Sequence, residues 1–196
     1  MAKYPLLPVP FVLLPATAME LRLRRSIARH LPLWGETEQI VGVQWFDQGR
    51  LHPIGVLASV EILAGNDIYV TIRITGEQRY YMTRLRERKT APPMEVTVEP
   101  LPDREEVPHH QLMQIVIQLH RQLLQALRAT DLPHLSHLAP LSYRLAALWL
   151  QDSANRQHFL ELQSESQRLQ LLRAHLQSLQ HNLAAEQHRQ QQLRWN

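Results

Sequence analysis

The sequence of 196 residues contains no cysteine, only two lysines and only six glycines. Without cysteine the chain has no disulfide bond, no thiol nucleophile and no zinc site built on thiolates. Neither the phosphate-binding pattern Gly-x4-Gly-Lys-Ser/Thr nor the dinucleotide pattern Gly-x-Gly-x-x-Gly occurs, which excludes the common nucleotide-binding loops. We therefore expect a chain that uses no cofactor and no metal.

The start of the chain and its charge argue against a membrane or a nucleic acid as partner. The N-terminal segment is apolar but rich in proline, which disfavours the helix of a signal peptide or membrane anchor. No apolar run approaches the roughly 18 residues of a membrane span. The formal net charge is only +3, and no lopsided basic stripe marks a nucleic-acid surface. We expect a cytoplasmic protein.

Residues 1–105 have the pattern of a β-rich domain. In the hairpin from Gly55 to Tyr80, apolar side chains at 68, 70, 72 and 74 alternate with polar ones, which indicates a half-buried antiparallel strand. Gly65 and Asn66 tolerate the positive φ of a turn. Further strands are predicted at 11–14, 40–46, 78–85 and 94–98, with a short helix around 22–31.

Residues 106–196 have a helical pattern. Apolar residues recur every three or four positions from Leu112 to Leu127, and further helices are predicted at 141–150, from 152 or 153 to 162, and from 164 onward. The last helix carries leucines at heptad spacing. This helix either packs on its own bundle or forms a dimerising coiled coil. The candidate self-association residues are Leu169, Leu172, Leu176, Leu179 and Leu183.

The hairpin resembles that of the N-terminal domain of Lon proteases. It has a Gly-x-x-Ala strand from Gly55, a glycine-containing turn, an alternating apolar strand, and Gly-x-x-Arg followed by an aromatic residue at Gly76 to Tyr80. The opening segment from Pro5 to Pro15 is similar to the opening strand of that family. Ala16 stands where the family usually has glycine, so the turn after Pro15 is expected to differ.

The resemblance extends over nearly the whole chain in the same order. Residues 19–31 resemble the strand and first helix of the family, with Arg25-Ser26-Ile27 matching a common pattern. Residues 94–103 resemble its closing strand. Leu145-Ala146, Gln157 to Glu161 and Arg168 to Leu172 resemble its helical half.

The resemblance implies an α+β fold in which a PUA-like antiparallel β-barrel, residues 1–105, precedes a helical bundle, residues 106–196, that ends in a long helix. It also implies a non-catalytic domain that recognises unfolded or degron-bearing polypeptide. A complete Lon protease adds an ATPase module and a Ser–Lys peptidase. With no phosphate-binding loop and only Lys3 and Lys89 as lysines, we expect no enzyme activity and no catalytic residue.

Exposed aromatic side chains on the barrel are the candidates for polypeptide binding. The alternative is that they complete the barrel core. The candidates are Phe11, Trp34, Trp45, Phe46, Tyr80 and Tyr81. The histidines, including His109, His110, His134, His137, His175, His181 and His188, have no accompanying acidic or thiol ligand pattern and are interpreted as solvated or interface residues.

The expected partners are unfolded or damaged proteins, with a Lon-type ATPase and protease as a further partner. The chain is either a part of Lon or a free-standing adaptor, and a homodimer through the C-terminal helix is an additional hypothesis. The rival function is RNA binding, since PUA-like barrels also occur in RNA-binding proteins and basic residues cluster at 84–89. The two functions differ in salt dependence.

Overall fold

The computed structural model describes residues 1–29, 31, 40–87, 94–104, 110–128 and 140–194. Within these ranges the strands are β1 Ala2–Val9, β2 Ala18–Arg24, β3 Ile40–Asp47, β4 Arg50–Leu51, β5 Ile54–Gly65, β6 Tyr69–Glu87 and β7 Met94–Pro100. The helices are α1 Arg25–Ala28, α2 His110–Ala126, α3 Leu141–Trp149, α4 Ser153–Glu161 and α5 Glu165–Arg194. The predicted α+β class with a long final helix is confirmed.

Five strands close into a barrel. β1, β7, β6, β5 and β3 are paired in this order, and β3 also pairs with β1. All neighbours are antiparallel except β1 and β3, which run parallel from Leu6↔Gly42 to Val9↔Trp45. The predicted antiparallel barrel therefore contains one parallel pair, because a long connection rather than a hairpin joins these two strands.

β6 is the longest strand, with 19 residues. Its first half lies between β2 and β5, and its second half lies between β5 and β7. Val70, Ile72 and Ile74 are buried as the alternation predicts, whereas Ile68 is 64% exposed because it precedes the strand. The two strands predicted over residues 68–85 form one continuous strand.

The N-terminal region differs from the sequence prediction in two places. The strand expected at 11–14 lies earlier, at β1, and residues 12–14 are buried without joining a strand. The helix expected around 22–31 begins only at Arg25, because residues 22–24 continue β2 and pair with β6. Ala16 has a φ of 57°, so the turn after Pro15 has the left-handed backbone that glycine favours.

The chain divides into two compact units. The first unit is Met1–Pro102 with Leu150–Glu161, and the second is Asp103–Trp149 with Leu162–Asn196. This differs from the expected ranges 1–105 and 106–196, because α4 packs on the barrel. A buried Arg79 on β6 donates a hydrogen bond of 2.7 Å to the carbonyl of Leu160, and Gln157 donates one of 3.2 Å to the carbonyl of Ile54.

The second unit is built on α5, which packs against α2 and α3. Its core is formed by one apolar face of each helix, chiefly Val116, Leu119, Leu123, Leu145, Ala146, Leu169, Leu172 and Leu176. The amide of Gln167 donates to the Ser164 hydroxyl at 3.2 Å, which caps the first turn of α5. None of the helices within the described ranges has the length and apolar character needed to cross a membrane.

Candidate functional site

The aromatic candidates occupy different environments. Phe46 is 46% exposed and Tyr81 is 45% exposed. Phe11 and Trp45 are half-buried. Trp34 lies outside the described residues. The exposed candidates within the described residues are therefore Phe46 and Tyr81, while Phe11 and Trp45 of the same unit are only partly accessible.

The β3–β4 hairpin holds Phe46 at the surface. Phe46 is paired with Leu51 across the hairpin. The turn between the strands has left-handed backbone at both central residues, Gln48 with φ 46° and Gly49 with φ 80°. This conformation is that of a type I′ turn, whose twist matches the twist of the two strands. The hairpin can therefore present Phe46 in a fixed position.

Trp45 supports the same hairpin from its half-buried position. Its ring stacks on His52, with ring centroids 4.2 Å apart and an interplanar angle of 12°. The His52 amide donates to the Trp45 carbonyl at 3.1 Å, and Gln44 Nε2 donates to the His52 carbonyl at 2.6 Å. Much of the Trp45 ring is thus used to fix the base of the hairpin.

Tyr80 and Tyr81 point to opposite faces of β6, because successive side chains of a strand alternate. Tyr81 lies opposite Ile54 on β5 and Glu99 on β7 at the surface. Tyr80 is fully buried in the barrel core with Leu6, Leu57, Val96 and Val98, and burial raises the pKa of its hydroxyl. The candidate Tyr80 is corrected from a surface contact to a core residue.

Sequence reasoning missed a second exposed apolar group at the β5–β6 turn. Leu63 and Ile68 lie near this turn and are exposed, as is Ile27 of α1. The Asn66 side chain accepts hydrogen bonds from the amides of Ile68 and Tyr69 at 2.9 and 2.8 Å, which fixes the turn. The available signal was an isoleucine placed directly after a Gly-Asn-Asp turn, where polar residues are usual.

Most leucines of the heptad pattern in α5 pack in the core of the second unit. Leu169, Leu172 and Leu176 are fully buried, so their candidate role in self-association is corrected to packing within the bundle. Leu179 and Leu183 are half-buried. A homodimer through these two remaining leucines stays a prediction.

The described histidines show no metal-ligand arrangement. His120 is buried and accepts a hydrogen bond of 2.9 Å at Nδ1 from Nε1 of Trp149. Burial, with a smaller contribution from Arg121, lowers the pKa of His120. Within the described residues there is no group of three or more histidines and carboxylates that could hold a metal ion. His109, His134 and His137 lie outside these ranges.

The basic cluster considered for RNA is only partly described. Arg84 and Arg86 are exposed on the second half of β6, and Arg86 lies opposite Glu95 on β7. Arg88 and Lys89 lie outside the described residues. The described half of the cluster therefore has a carboxylate beside it, which weakens its attraction for a phosphate backbone.

Comparison with known proteins points to one family. The family described as the ATP-dependent protease La (LON) substrate-binding domain matches residues 3–178. The Lon N-terminal domain protein from Xanthomonas campestris has 26% identity and a TM-score of 0.67, over 89% of this chain and 98% of that chain. The N-terminal domain of Mycobacterium avium complex Lon protease has 16% identity and a TM-score of 0.68, over 90% and 98%. No curated protein sequence matches this chain.

Proposed function

Because this chain belongs to the family of Lon substrate-binding domains, we propose that it binds unfolded or degron-bearing polypeptides and does not itself cleave them. The first unit carries this activity, and its contacts are the apolar side chains exposed on the barrel. The residues assigned to binding are Phe46 and Tyr81, and the half-buried Phe11 and Trp45 of the same unit are assigned as supporting residues.

The exposure of Phe46 on a rigid hairpin is the observation that supports this proposal most directly. An exposed aromatic side chain keeps apolar surface in contact with water, which is unfavourable. Binding of another apolar side chain removes that surface from water and lowers the free energy. Unfolded polypeptides present such side chains, whereas folded proteins bury most of them. The type I′ turn at Gln48 and Gly49 keeps the entropic cost of binding low, because the hairpin is already ordered.

A Lon-type ATPase and protease is the proposed partner that acts on the captured polypeptide in the cytoplasm. This sequence has no phosphate-binding loop, so ATP hydrolysis must come from another module. The module is either another part of the same polypeptide or a separate protein to which this domain delivers substrate as an adaptor.

The proposal is tested by measuring binding to an unfolded model protein. The model protein is reduced and alkylated to keep it unfolded, and binding is followed by fluorescence anisotropy. The wild-type chain is expected to bind the unfolded form and not the folded form. Phe46→Ala should weaken binding about fivefold to tenfold, the usual effect of removing an aromatic anchor. Leu148→Ala is the matched control, because Leu148 is an apolar residue of the second unit with 39% exposure, and it should leave binding unchanged.

Two results would contradict the proposal. Equal weakening by Phe46→Ala and Leu148→Ala would remove the assignment to the β3–β4 hairpin. RNA binding that falls steeply with salt, without polypeptide binding, would establish the rival function through Arg84 and Arg86. Apolar polypeptide binding should change little between low and high salt.

A further inference from the structure

β2 is an edge strand within the described part of the chain. Its seven residues pair with β6 without a register shift, from Ala18↔Thr75 to Arg24↔Tyr69. Among the described residues no strand pairs with its other side. The backbone groups on that side therefore form a row of hydrogen-bond donors and acceptors that another extended chain can use.

The hydrogen bonds at the two ends of the β2–β6 pairing show which residues face outward. The amide of Arg25 donates to the carbonyl of Ile68 at 2.8 Å, and the amide of Gly76 donates to the carbonyl of Thr17 at 2.9 Å. In an antiparallel pair, residues that exchange hydrogen bonds alternate with residues that do not. The odd-numbered residues of β2 therefore bond to β6.

The even-numbered residues direct their amide and carbonyl groups away from β6. They are Ala18, Glu20, Arg22 and Arg24, and their side chains are exposed. Among the described residues no second strand bonds to these groups, although the carbonyl of Arg24, the N-cap of α1, is the first acceptor of that helix. The outer side of β2 thus offers several main-chain donors and acceptors at the spacing of an extended strand, roughly 6.8 Å for every second residue.

Three of the usual protections of an edge strand are missing from β2, although its exposed face is charged. It contains no proline and no bulge. Its half-buried face carries only Met19, Leu21 and Leu23, with no inward-pointing charge. Proline, bulges and inward-pointing charges commonly prevent another strand from pairing with an edge strand. Their absence from β2 is consistent with its use as a binding site.

The exposed face of β2 carries two arginines and one glutamate. Glu20 is bound to Arg73 of β6 at 2.9 Å, and Arg73 also contacts Glu61 of β5 at 3.3 Å. Arg22 lies over the ring of Tyr69 at 4.2 Å. Neither Arg22 nor Arg24 has a carboxylate partner among the described residues. Their guanidinium groups are thus available to acidic side chains on an added strand.

We propose that the outer edge of β2 binds an extended polypeptide with acidic side chains at alternate positions, by adding it to the sheet as a further strand. The proposal rests on the proposed function and deepens it, because it assigns a main-chain binding mode and a charge preference to the captured polypeptide. Main-chain hydrogen bonds would be independent of sequence, while Arg22 and Arg24 select the acidic segments. A second copy of this chain fits the edge less well, since it would bring its own arginines to the same place.

Amide hydrogen exchange followed by NMR tests the binding mode directly. The probe is a seven-residue peptide, as long as β2, with glutamate at alternate positions and threonine or valine between them. On binding, the amides of Glu20, Arg22 and Arg24 should gain protection. The amides of Leu21 and Leu23 should change little, because β6 already protects them. A peptide with lysine in place of glutamate should bind more weakly.

Two variants of Arg22 separate the contribution of its main-chain amide to binding from the contribution of its side chain. Arg22→Pro removes an outward amide without touching the bonds to β6, and should weaken binding about tenfold. Arg22→Ala keeps the amide and should weaken it only about threefold. Arg24→Glu should also weaken binding, whereas Arg84→Glu, the same charge change elsewhere in the unit, should not.

The outcomes distinguish this inference from the proposed function. If unfolded protein and peptide bind but the even-numbered amides of β2 gain no protection, the edge site is overturned and the proposed function survives. If the wild-type chain binds no unfolded polypeptide, the proposed function fails and this inference with it. Protection that rises with protein concentration in the absence of peptide would show a second copy on the edge, and would overturn the proposed occupant. Should Arg22→Pro not fold, the exchange pattern of the wild-type chain decides.

Discussion

Position 55 requires glycine because two parts of the barrel approach it closely. A Cβ atom on Gly55 would lie 2.6 Å from the carbonyl oxygen of Val43 and 2.8 Å from the ring of Tyr80. A backbone oxygen cannot rotate away as a side chain can, so the strands themselves would have to separate. The missing side chain at this residue is one reason that Tyr80 fits into the core.

Gly55→Ala is expected to lower the free energy of unfolding by about 1–3 kcal/mol, the usual range for overpacking. Urea denaturation of the two proteins measures the change. Gly65→Ala is the matched control, because its Cβ would meet its nearest neighbour at 3.5 Å, an ordinary contact. Equal destabilisation by both changes would contradict the explanation.

Arg168 is the buried charge around which the second unit is organised. Its guanidinium lies 2.9 Å from Asp103 and 3.0 Å from Glu165, and 4.4 Å from the ring centre of Tyr143. Its side chain has no exposed surface. Removing a buried partner leaves the opposite charges uncompensated, so the cost exceeds the value of the contact itself.

Arg168→Ala should therefore destabilise the second unit by about 3–5 kcal/mol, measured by thermal or urea unfolding. Arg189→Ala serves as the control on the same helix. Arg189 contacts Glu186 at 3.7 Å, with both side chains exposed, and exposed pairs contribute little. The explanation fails if Arg168→Ala is as stable as Arg189→Ala.

At the scale of elements, α2 and α3 are joined by the hydrogen bond between Trp149 and His120. The imidazole accepts this bond at Nδ1, which requires a neutral ring. Burial holds the pKa of His120 below its ordinary value of 6.5. Protonation would remove the acceptor and place a charge next to Arg121, so the contact between these helices depends on pH.

The stability of the second unit should fall as the pH drops below about 6.5. In that range the unfolded chain takes up a proton that folded His120 resists, so the unfolded state is favoured. Melting temperatures at about pH 7.5 and pH 5.5 measure the effect. His120→Gln should reduce the difference in melting temperature between the two pH values. His181→Gln, a change at an exposed histidine of α5, should leave that difference unchanged. An unchanged difference in His120→Gln would sink this account.

At the scale of the whole molecule, the division into units follows packing rather than chain order. α4 lies between two helices of the second unit in the sequence, yet it belongs to the first unit. Arg79 and Gln157 provide the polar contacts that attach it to the barrel. The proposed binding contacts all lie in the first unit, which is why changes at Leu148 should leave binding intact.

The candidate site was only partly predictable from the sequence, because the burial of a side chain depends on which distant segments pack together. Composition and turn signals place Trp45, Phe46, Tyr80 and Tyr81 in the β-rich part of the chain. Alternation along a strand shows that Tyr80 and Tyr81 face opposite sides, but it does not show which side is the interior of a closed barrel. That depends on the pairing of β6 with β5 and β7. The exposed group around Ile68 was missed because the strand begins one residue later than the alternation suggests.

The sequence by itself determined the absence of cysteine chemistry and of a phosphate-binding loop, the α+β class, most helix boundaries and the family resemblance. These depend on residue identity and on local periodicity, which the chain carries directly. Only the tertiary structure decided the parallel β1–β3 closure, the placement of α4, the burial of Tyr80 and of three leucines of α5, and the lack of a second partner strand for β2 among the described residues. Each of these depends on which distant segments meet, and contacts between distant segments leave no local pattern in the sequence.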